Sequence, residues 1–275
     1  MYNIVAIDLG WGGLLQAYNV FKNIERFSGK AVNIIFVRLP IFKYDMTVQD
    51  KVDQFELYLN NITKRFEPEE LIIACNTLSG LYPNTSFSLL FKKNVYNIIE
   101  ITSECIISNY EEGSKILIFA SELTVSERFY HKRLLESGIC EENIICIPLK
   151  GLARLIEEEL YSKELPEKIN QLVLKLFPSI DNYNKMFVVL GCTHYEYVTK
   201  IFFDVLKTKG ISNLYLVDAV YNALFICNKG QDVKKNLYIY SYNSGGNITV
   251  KNNLKRYFDS DTVNSALDKE KIIHI

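Results

Sequence analysis

One pattern constrains this chain of 275 residues more than any other: an apolar run ending in a small residue, a cysteine and a hydrogen-bonding residue occurs twice. Leu71-Ile72-Ile73-Ala74-Cys75-Asn76-Thr77 is the first copy and Phe187-Val188-Val189-Leu190-Gly191-Cys192-Thr193-His194 the second. A short, β-branched apolar run that stops at small and polar residues reads as a buried strand delivering its carboxyl end to a turn or helix start. Ligands of open α/β sheets bind at that end of the strands. The two cysteines are separated by about the length of one α/β domain, roughly 100–150 residues. The spacing predicts two similar domains, each presenting a cysteine at a strand's carboxyl end.

The rest of the chain agrees with that frame. Further strands are expected at Asn3–Ile7, Ala31–Val37, Glu70–Ala74, Val95–Ile99, Lys115–Phe119, Ile144–Ile147 and Leu214–Val217. Helical patterns lie between them, notably from Leu14, over Thr47–Arg65 and over Val125–Glu136. Strands alternating with helices argue for parallel sheets with right-handed crossovers, the α/β class. Hydrophobic residues at 48% and charged residues at 23% are ordinary globular values. The net charge of −1 gives no bulk argument for nucleic acid or an anionic membrane as partner. The most apolar stretch, Asn213–Cys227, is interrupted by Asp218 and Asn222, so no transmembrane helix is expected. Asp8 falls where a signal peptide would be apolar, and a cytoplasmic location is expected. Six cysteines without a CxxC pair, and three histidines, suggest neither a disulfide framework nor a structural zinc site.

Each candidate residue has a plain reading beside a chemical one. Cys75 after a strand can be a small buried hydrophobe. Asn76 and Thr77 open the next segment, where unsatisfied N–H groups suit a carboxylate. Cys192 has Thr193 as polar neighbour and His194 two residues on; an imidazole there can exchange protons with the thiol. His194 can equally be a satisfied structural histidine. Asp8-Leu9-Gly10-Trp11-Gly12-Gly13 follows the first strand and reads as a tight turn or as a ligand cradle. It lacks the Gly-Lys-Ser/Thr ending of a P-loop and the dinucleotide spacing. Asp8 is polar where a ligand would sit, and also a fair helix N-cap.

Together these segments resemble the aspartate/glutamate racemase superfamily, and within it glutamate racemase. The family's Asp-Ser-Gly-x-Gly-Gly matches Asp8 to Gly13. Its Ala-Cys-Asn-Thr matches Ala74 to Thr77, and its Leu-Gly-Cys-Thr-His-Tyr is intact from Leu190 to Tyr195. The similarity runs to the terminal Ile273-His274-Ile275. The resemblance implies two pseudo-symmetric α/β domains with the active site in the cleft between them, residues 1–98 with 213–275 forming one and 99–212 the other. It implies a cofactor-independent racemase in which two cysteines work on opposite faces of Cα, Cys75 on the D enantiomer and Cys192 on the L enantiomer. Asp8 would then assist Cys75, and His194 would assist Cys192. A family glutamate matches Glu157, with Glu158 and Glu159 beside it and a solvated acidic helix face as the alternative. Asn76, Thr77, Thr193 and Thr124 would hold the substrate's α-carboxylate or amino group. The implied partner is a small amino acid, with a homodimer as the implied assembly and no nucleic acid or membrane.

The departures concern the substrate lining. The family's serine after the first aspartate is Leu9 here. Without gaps, its Pro-Tyr-Gly falls on Lys43-Tyr44-Asp45, and its Gly-Asp-Thr-Ala-Arg on Val37-Arg38-Leu39-Pro40-Ile41. Its late Ser-Gly is replaced around Asp218-Ala219-Val220. Leu9 cannot donate a hydroxyl hydrogen bond, and Asp45 would repel a distal carboxylate unless Lys43 or Arg38 offsets it. Each unpaired polar group costs about 1–3 kcal/mol. Weak glutamate turnover, or a neutral or cationic side chain, is therefore the expectation. The competing readings are isomerisation or decarboxylation of another small carboxylic acid, and a non-catalytic regulatory protein on the same fold.

Overall fold

The computed structural model describes residues 1–24, 31–43, 45–91, 93–177, 180, 183–211, 213–217, 235–242, 245 and 247–273. The chain divides into two units, Met1–Ile98 with Val220–Ile275, and Ile99–Ala219. Leu214–Leu216, expected with the first domain, falls in the second unit, because it pairs with Met186–Val188.

The first unit is a parallel sheet of six strands: β1 (Tyr2–Asp8), β2 (Val32–Arg38), β3 (Glu70–Ile73), β4 (Asn94–Asn97), β9 (Lys235–Tyr242) and β10 (Lys271–Ile273). Their order is β10-β9-β2-β1-β3-β4. Ile4 to Ile7 and Val32 to Val37 are buried without alternation, as strands covered on both faces must be. Among the described residues its helices are α1 (Gly13–Asn23), α2 (Val48–Phe66), α3 (Asn76–Leu81), α4 (Phe87–Leu90), α11 (Ile248–Phe258) and α12 (Asp261–Asp268). α2 starts at a capping box, Thr47 with Asp50, which satisfies two backbone donors reciprocally. It buries Val52, Phe55, Leu59, Ile62 and Phe66 at helical spacing.

The second unit is a parallel sheet of four strands: β5 (Lys115–Ala120), β6 (Ile144–Pro148), β7 (Met186–Gly191) and β8 (Leu214–Leu216), in the order β6-β5-β7-β8. α5 (Ile98–Asn109), α6 (Glu122–Ser126), α7 (Phe129–Glu136), α8 (Leu152–Glu159), α9 (Leu165–Leu176) and α10 (Thr199–Thr208) accompany it. One core joins Leu117, Phe119, Val188 and Leu190 of the sheet to Ile156, Ile169 and Phe202 of the helices.

Three expectations shift. The helix expected over 125–136 is two helices, α6 and α7, interrupted at Arg128, whose φ of 57° lies in the left-handed region. β4 stops at Asn97, since Ile98 and Ile99 open α5. β9 and β10 complete the first sheet without having been expected.

Both sheets reverse direction in one place. From β1 the chain goes to β2 on one side and β3 on the other; from β5 it goes to β6 on one side and β7 on the other. At such a point adjacent loops diverge and leave a crevice at the carboxyl ends. The two reversals are β1/β3 and β5/β7.

Candidate active site

In the first unit, β1 ends in Asp8 and β3 leads through Ala74 to Cys75. The last paired residues are Ile7 and Ile73, and the Ala74 amide then donates to the Ile7 carbonyl at 3.0 Å. Asp8 is therefore opposite Ala74 at the reversal, one residue before the thiol. Asp8 is 2% exposed. The Gly10 amide donates to its Oδ1 at 3.3 Å, folding the loop back over the carboxylate. Gly13 is required here: a Cβ on it would stand 2.7 Å from Asp8 Cβ, 2.8 Å from Asp8 Oδ2 and 3.1 Å from Ala74 Cβ. The start of α1 thus rests directly on Asp8 and Ala74.

Cys75 is the extended residue before α3, and Asn76 and Thr77 form the first turn of that helix. All three are buried. The turn is held from behind by Ser79. Its hydroxyl donates to the Ile73 carbonyl at 3.0 Å and accepts from the Ile98 amide at 3.2 Å, while Asn97 Nδ2 donates to its carbonyl at 2.8 Å. Leu9, half-buried, follows Asp8. Asp45 and Lys43 are exposed, and Tyr44 lies outside the described residues, as do 218–220 and 274–275.

The second unit repeats the frame with different chemistry. β7 ends in Gly191, paired with Ala120 of β5, and Cys192 follows in extended conformation. A 3-10 turn over Thr193–Val198 comes next. Cys192 Sγ lies 3.7 Å from His194 Nδ1, and His194 Nε2 lies 2.6 Å from Glu157 Oε1. Thiol, imidazole and carboxylate form one chain. His194 is 7% exposed. Burial alone would lower its pKa, but the hydrogen bonds to Cys192 and Glu157, and their charges, hold it well above the ordinary value. With Nε2–H directed to Glu157, Nδ1 is left to accept the thiol proton or return it.

The acidic run resolves by direction. Glu157 faces His194; Glu158 pairs with Arg154 at 2.8 Å on the exposed side, and Glu159 pairs with Lys168 at 2.5 Å. Thr193 is buried beside the thiol. Thr124, also buried, sits at the start of α6 beyond β5, its hydroxyl 2.9 Å from the Ser121 hydroxyl. Tyr195 anchors the turn, donating to the Leu149 carbonyl at 3.2 Å.

Two features lay outside the sequence reading. Cys146 Sγ lies 3.4 Å from His131 Nδ1, a second cysteine–histidine contact that topology, not sequence proximity, creates. At the end of β2, Arg38 stacks on Trp11 of the Asp8 loop, 5.2 Å from guanidinium carbon to ring centroid.

No protein-family model matches the chain. Among curated proteins, glutamate racemase of Buchnera aphidicola is 24% identical over 264 residues, covering 92% of this chain and 96% of the relative. The structure of a glutamate racemase isoform of Bacillus anthracis superposes with a TM-score of 0.74 at 16% identity, over 100% of this chain and 97% of that one. Glutamate racemase of Francisella tularensis, solved with D-glutamate, gives 0.69 at 14% identity, over 100% and 97%. Over nearly its full length the chain is similar to glutamate racemases, and its two parallel sheets are the fold of the solved ones. The likeness is to racemase-type isomerases. The segments around Asp8, Cys75 and Cys192 are the ones that line the chain's sheet reversals.

Proposed function

We propose that this chain is a racemase that interconverts L- and D-glutamate without a cofactor, with Cys75 and Cys192 as its two acid/base groups. One observation carries the reading: each unit places a thiol at its own sheet reversal, and one of them continues into an imidazole and a carboxylate. Inverting a carbon by proton transfer needs a base on one face and an acid on the other, because a single group tends to return the proton where it came from. Two thiols meet that need. Cys75 as thiolate removes Cα–H from the D enantiomer, while Cys192 as thiol delivers a proton to the other face; the roles reverse for L. His194 takes or returns the Cys192 proton through Nδ1, and Glu157 fixes the tautomer and supports the imidazolium. Asp8 plays the assisting role for Cys75.

The α-carboxylate is bound by the first turn of α3, Asn76 and Thr77, whose N–H groups and side chains suit an anion. Thr193 and Thr124 hold the amino group from the second unit. Glutamate is the substrate of the named relatives, and supply of D-glutamate to cell-wall peptidoglycan in the cytoplasm is the role this implies. Incubation with L- and D-amino acids in D₂O tests the reading. Deuterium enters Cα of glutamate, accompanied by loss of optical activity; absence of exchange with every amino acid overturns it. Chemical conversion of a carboxylic acid without inversion would favour the isomerase or decarboxylase reading.

A further inference from the structure

We infer that Trp11 and Arg38 clamp the loop that sets the Asp8 carboxylate, as positioning residues for the Cys75 half of the site. The inference rests on the proposed role of Asp8 as the group assisting Cys75 and adds to it what holds Asp8 in place.

The loop needs an anchor. Leu9–Gly12 joins β1 to α1, and Gly10 and Gly12 lose much backbone freedom on ordering while bringing no side chain to hold them. Yet this loop sets the carboxylate: the Gly10 amide donates to Asp8 Oδ1, and Gly13 lies against Oδ2. Leu9 is only half-buried, whereas Trp11, between the two glycines, is 3% exposed. Trp11 is also the single tryptophan of the chain.

Trp11 is fixed by β2. Phe36 and Arg38, two residues apart, project from one face of that strand. The Phe36 ring centroid lies 6.1 Å from that of Trp11, and the Arg38 guanidinium carbon 5.2 Å from it. Arg38 pairs in register with Asp8 on one side and with Ser241 of β9 on the other, so the three form a row across adjacent strands. Its Nε donates to the Ser241 hydroxyl at 3.1 Å. Ser241, fully buried, gives its own proton to Glu270, whose other oxygen pairs with Lys251. With that proton committed, the hydroxyl oxygen is left to accept from Arg38. The brace thus runs from β2 away from Cys75 and acts through Trp11, without touching substrate. A guanidinium can stack by its face and donate in its plane at once, which an ammonium cannot. A cation over a buried indole also contributes more than one at the surface.

The single tryptophan makes the clamp measurable, because no other indole contributes to the fluorescence. Full-length wild type is compared with Arg38→Met, Arg38→Lys and Ser241→Ala. Arg65→Met is the control, since it removes another cation stacked in the same unit, 6.0 Å from the Tyr240 ring. Acrylamide quenching of Trp11 and hydrogen exchange of the peptide Leu9–Leu15 need no activity. The exchanging amides include Gly10, bonded to Asp8, and Leu14 and Leu15, bonded to the Trp11 and Gly12 carbonyls. Arg38→Met should speed loop exchange about tenfold, the scale of one desolvated cation–π contact, and make Trp11 about twofold more quenchable. In racemisation, kcat should fall about tenfold with KM held within about twofold, as for a displaced assisting group. The primary isotope effect should rise more with Cα-deuterated D substrate, the one assigned to Cys75, which general destabilisation does not produce. Arg38→Lys should recover part of each loss, Ser241→Ala should show smaller changes in the same direction, and Arg65→Met should leave the loop as in wild type. Unchanged loop exchange in Arg38→Met, an equal rise in Arg65→Met, or an isotope effect that rises equally with both enantiomers overturns the assignment. If loop exchange responds to Arg38 but wild type exchanges no Cα proton with any amino acid, the racemase reading fails and the clamp stands. If Arg38→Met misfolds, loop exchange in Ser241→Ala and Arg38→Lys decides.

Discussion

Cys75 and Cys192 occupy the same place in two different sheets. Each follows the third strand of its unit, β3 or β7, beside the first, β1 or β5. The groups around them differ. In the first unit the neighbouring strand itself ends in a buried carboxylate, Asp8, and Gly13 is emptied of a side chain to let α1 close on it. In the second unit the neighbouring strand ends in Ala120, and the next residues supply hydroxyls, Ser121 and Thr124. The carboxylate comes instead from α8 and reaches the thiol through His194. The glycine there, Gly191, clears room for Ala120, Phe119 and Tyr130 rather than for an acid. One backbone solution therefore carries two acid/base arrangements, and the two thiols should respond differently to mutation and pH.

The largest effect tests whether the two positions are functionally alike at all. Cys75→Ala and Cys192→Ala should each lower racemisation by about 10³-fold or more, since positioned acid/base groups contribute roughly 10²–10⁴. Loss at only one position would leave the repeated frame as a structural echo. A β-leaving-group analogue sharpens the point, because elimination needs one proton abstraction and can survive in the variant that keeps the relevant thiol.

The assisting groups come next. His194→Asn should cost about 10²-fold in kcat/KM and Glu157→Gln less, about tenfold. The equilibrium constant between enantiomers is one, so kcat/KM must fall equally in both directions. Asymmetry appears in the primary isotope effect, which should rise more with Cα-deuterated L substrate, the one assigned to Cys192. An equal rise with both enantiomers would contradict that assignment.

These residues also show how much could be read without coordinates. Both cysteines, Asp8 and His194 were legible because strand ends announce themselves by an apolar run that stops. Glu157 was only one of three. Consecutive helical residues point about 100° apart, and nothing in Glu-Glu-Glu says which direction faces a histidine 37 positions away; packing of α8 on the 3-10 turn decides it. β9 carries a period-two signal in Leu237, Ile239 and Ser241, but it stands alone between residues without a clear strand–helix rhythm. The Arg38–Trp11 stack and the His131–Cys146 contact join residues brought together only by pairing and crossover, which one-dimensional spacing does not encode.

pH separates the second unit by stability. His194 is buried, yet its hydrogen bonds and charged partners raise its pKa above the ordinary value near 6.5. A group raised in the folded state stabilises fully below its unfolded pKa and loses that contribution as pH climbs through the folded one. The advantage of wild type over His194→Asn in urea midpoint should therefore be greatest near pH 6 and shrink on the alkaline side. A constant difference would mean that the ionised chain does not contribute.

The two glycines should rank. In Gly13→Ala the new Cβ meets Asp8 below 3.0 Å, so the carboxylate itself must move; a loss of about 1–3 kcal/mol and of activity is expected. In Gly191→Ala the nearest atoms are at 3.1 Å, which small shifts relieve, so the loss should be smaller. Thermal unfolding and kcat/KM of both variants check the order, and the reverse order would mean Asp8 has more room than its surroundings suggest.

The smallest effect belongs to Cys146, which serves as the internal control within the second unit. It contacts a histidine more closely than Cys192 does, 3.4 against 3.7 Å, so proximity to imidazole alone would nominate it equally. The electrostatics run the other way. Burial pushes the Cys146 thiol up to about 12, against a smaller opposing effect of Arg128. Burial, joined by the charge of Arg128, lowers His131 and outweighs Glu141. Both shifts favour the neutral form, whereas the partners of His194 favour its charged form. Cys146→Ala should leave kcat/KM within about twofold and cost roughly 1 kcal/mol of stability from lost packing. In a background lacking the exposed Cys140, alkylation at neutral pH should spare Cys146. A fall in activity comparable to that of Cys192→Ala would show that a cysteine–histidine contact suffices without a carboxylate behind it, and the contrast between the two pairs would lose its meaning.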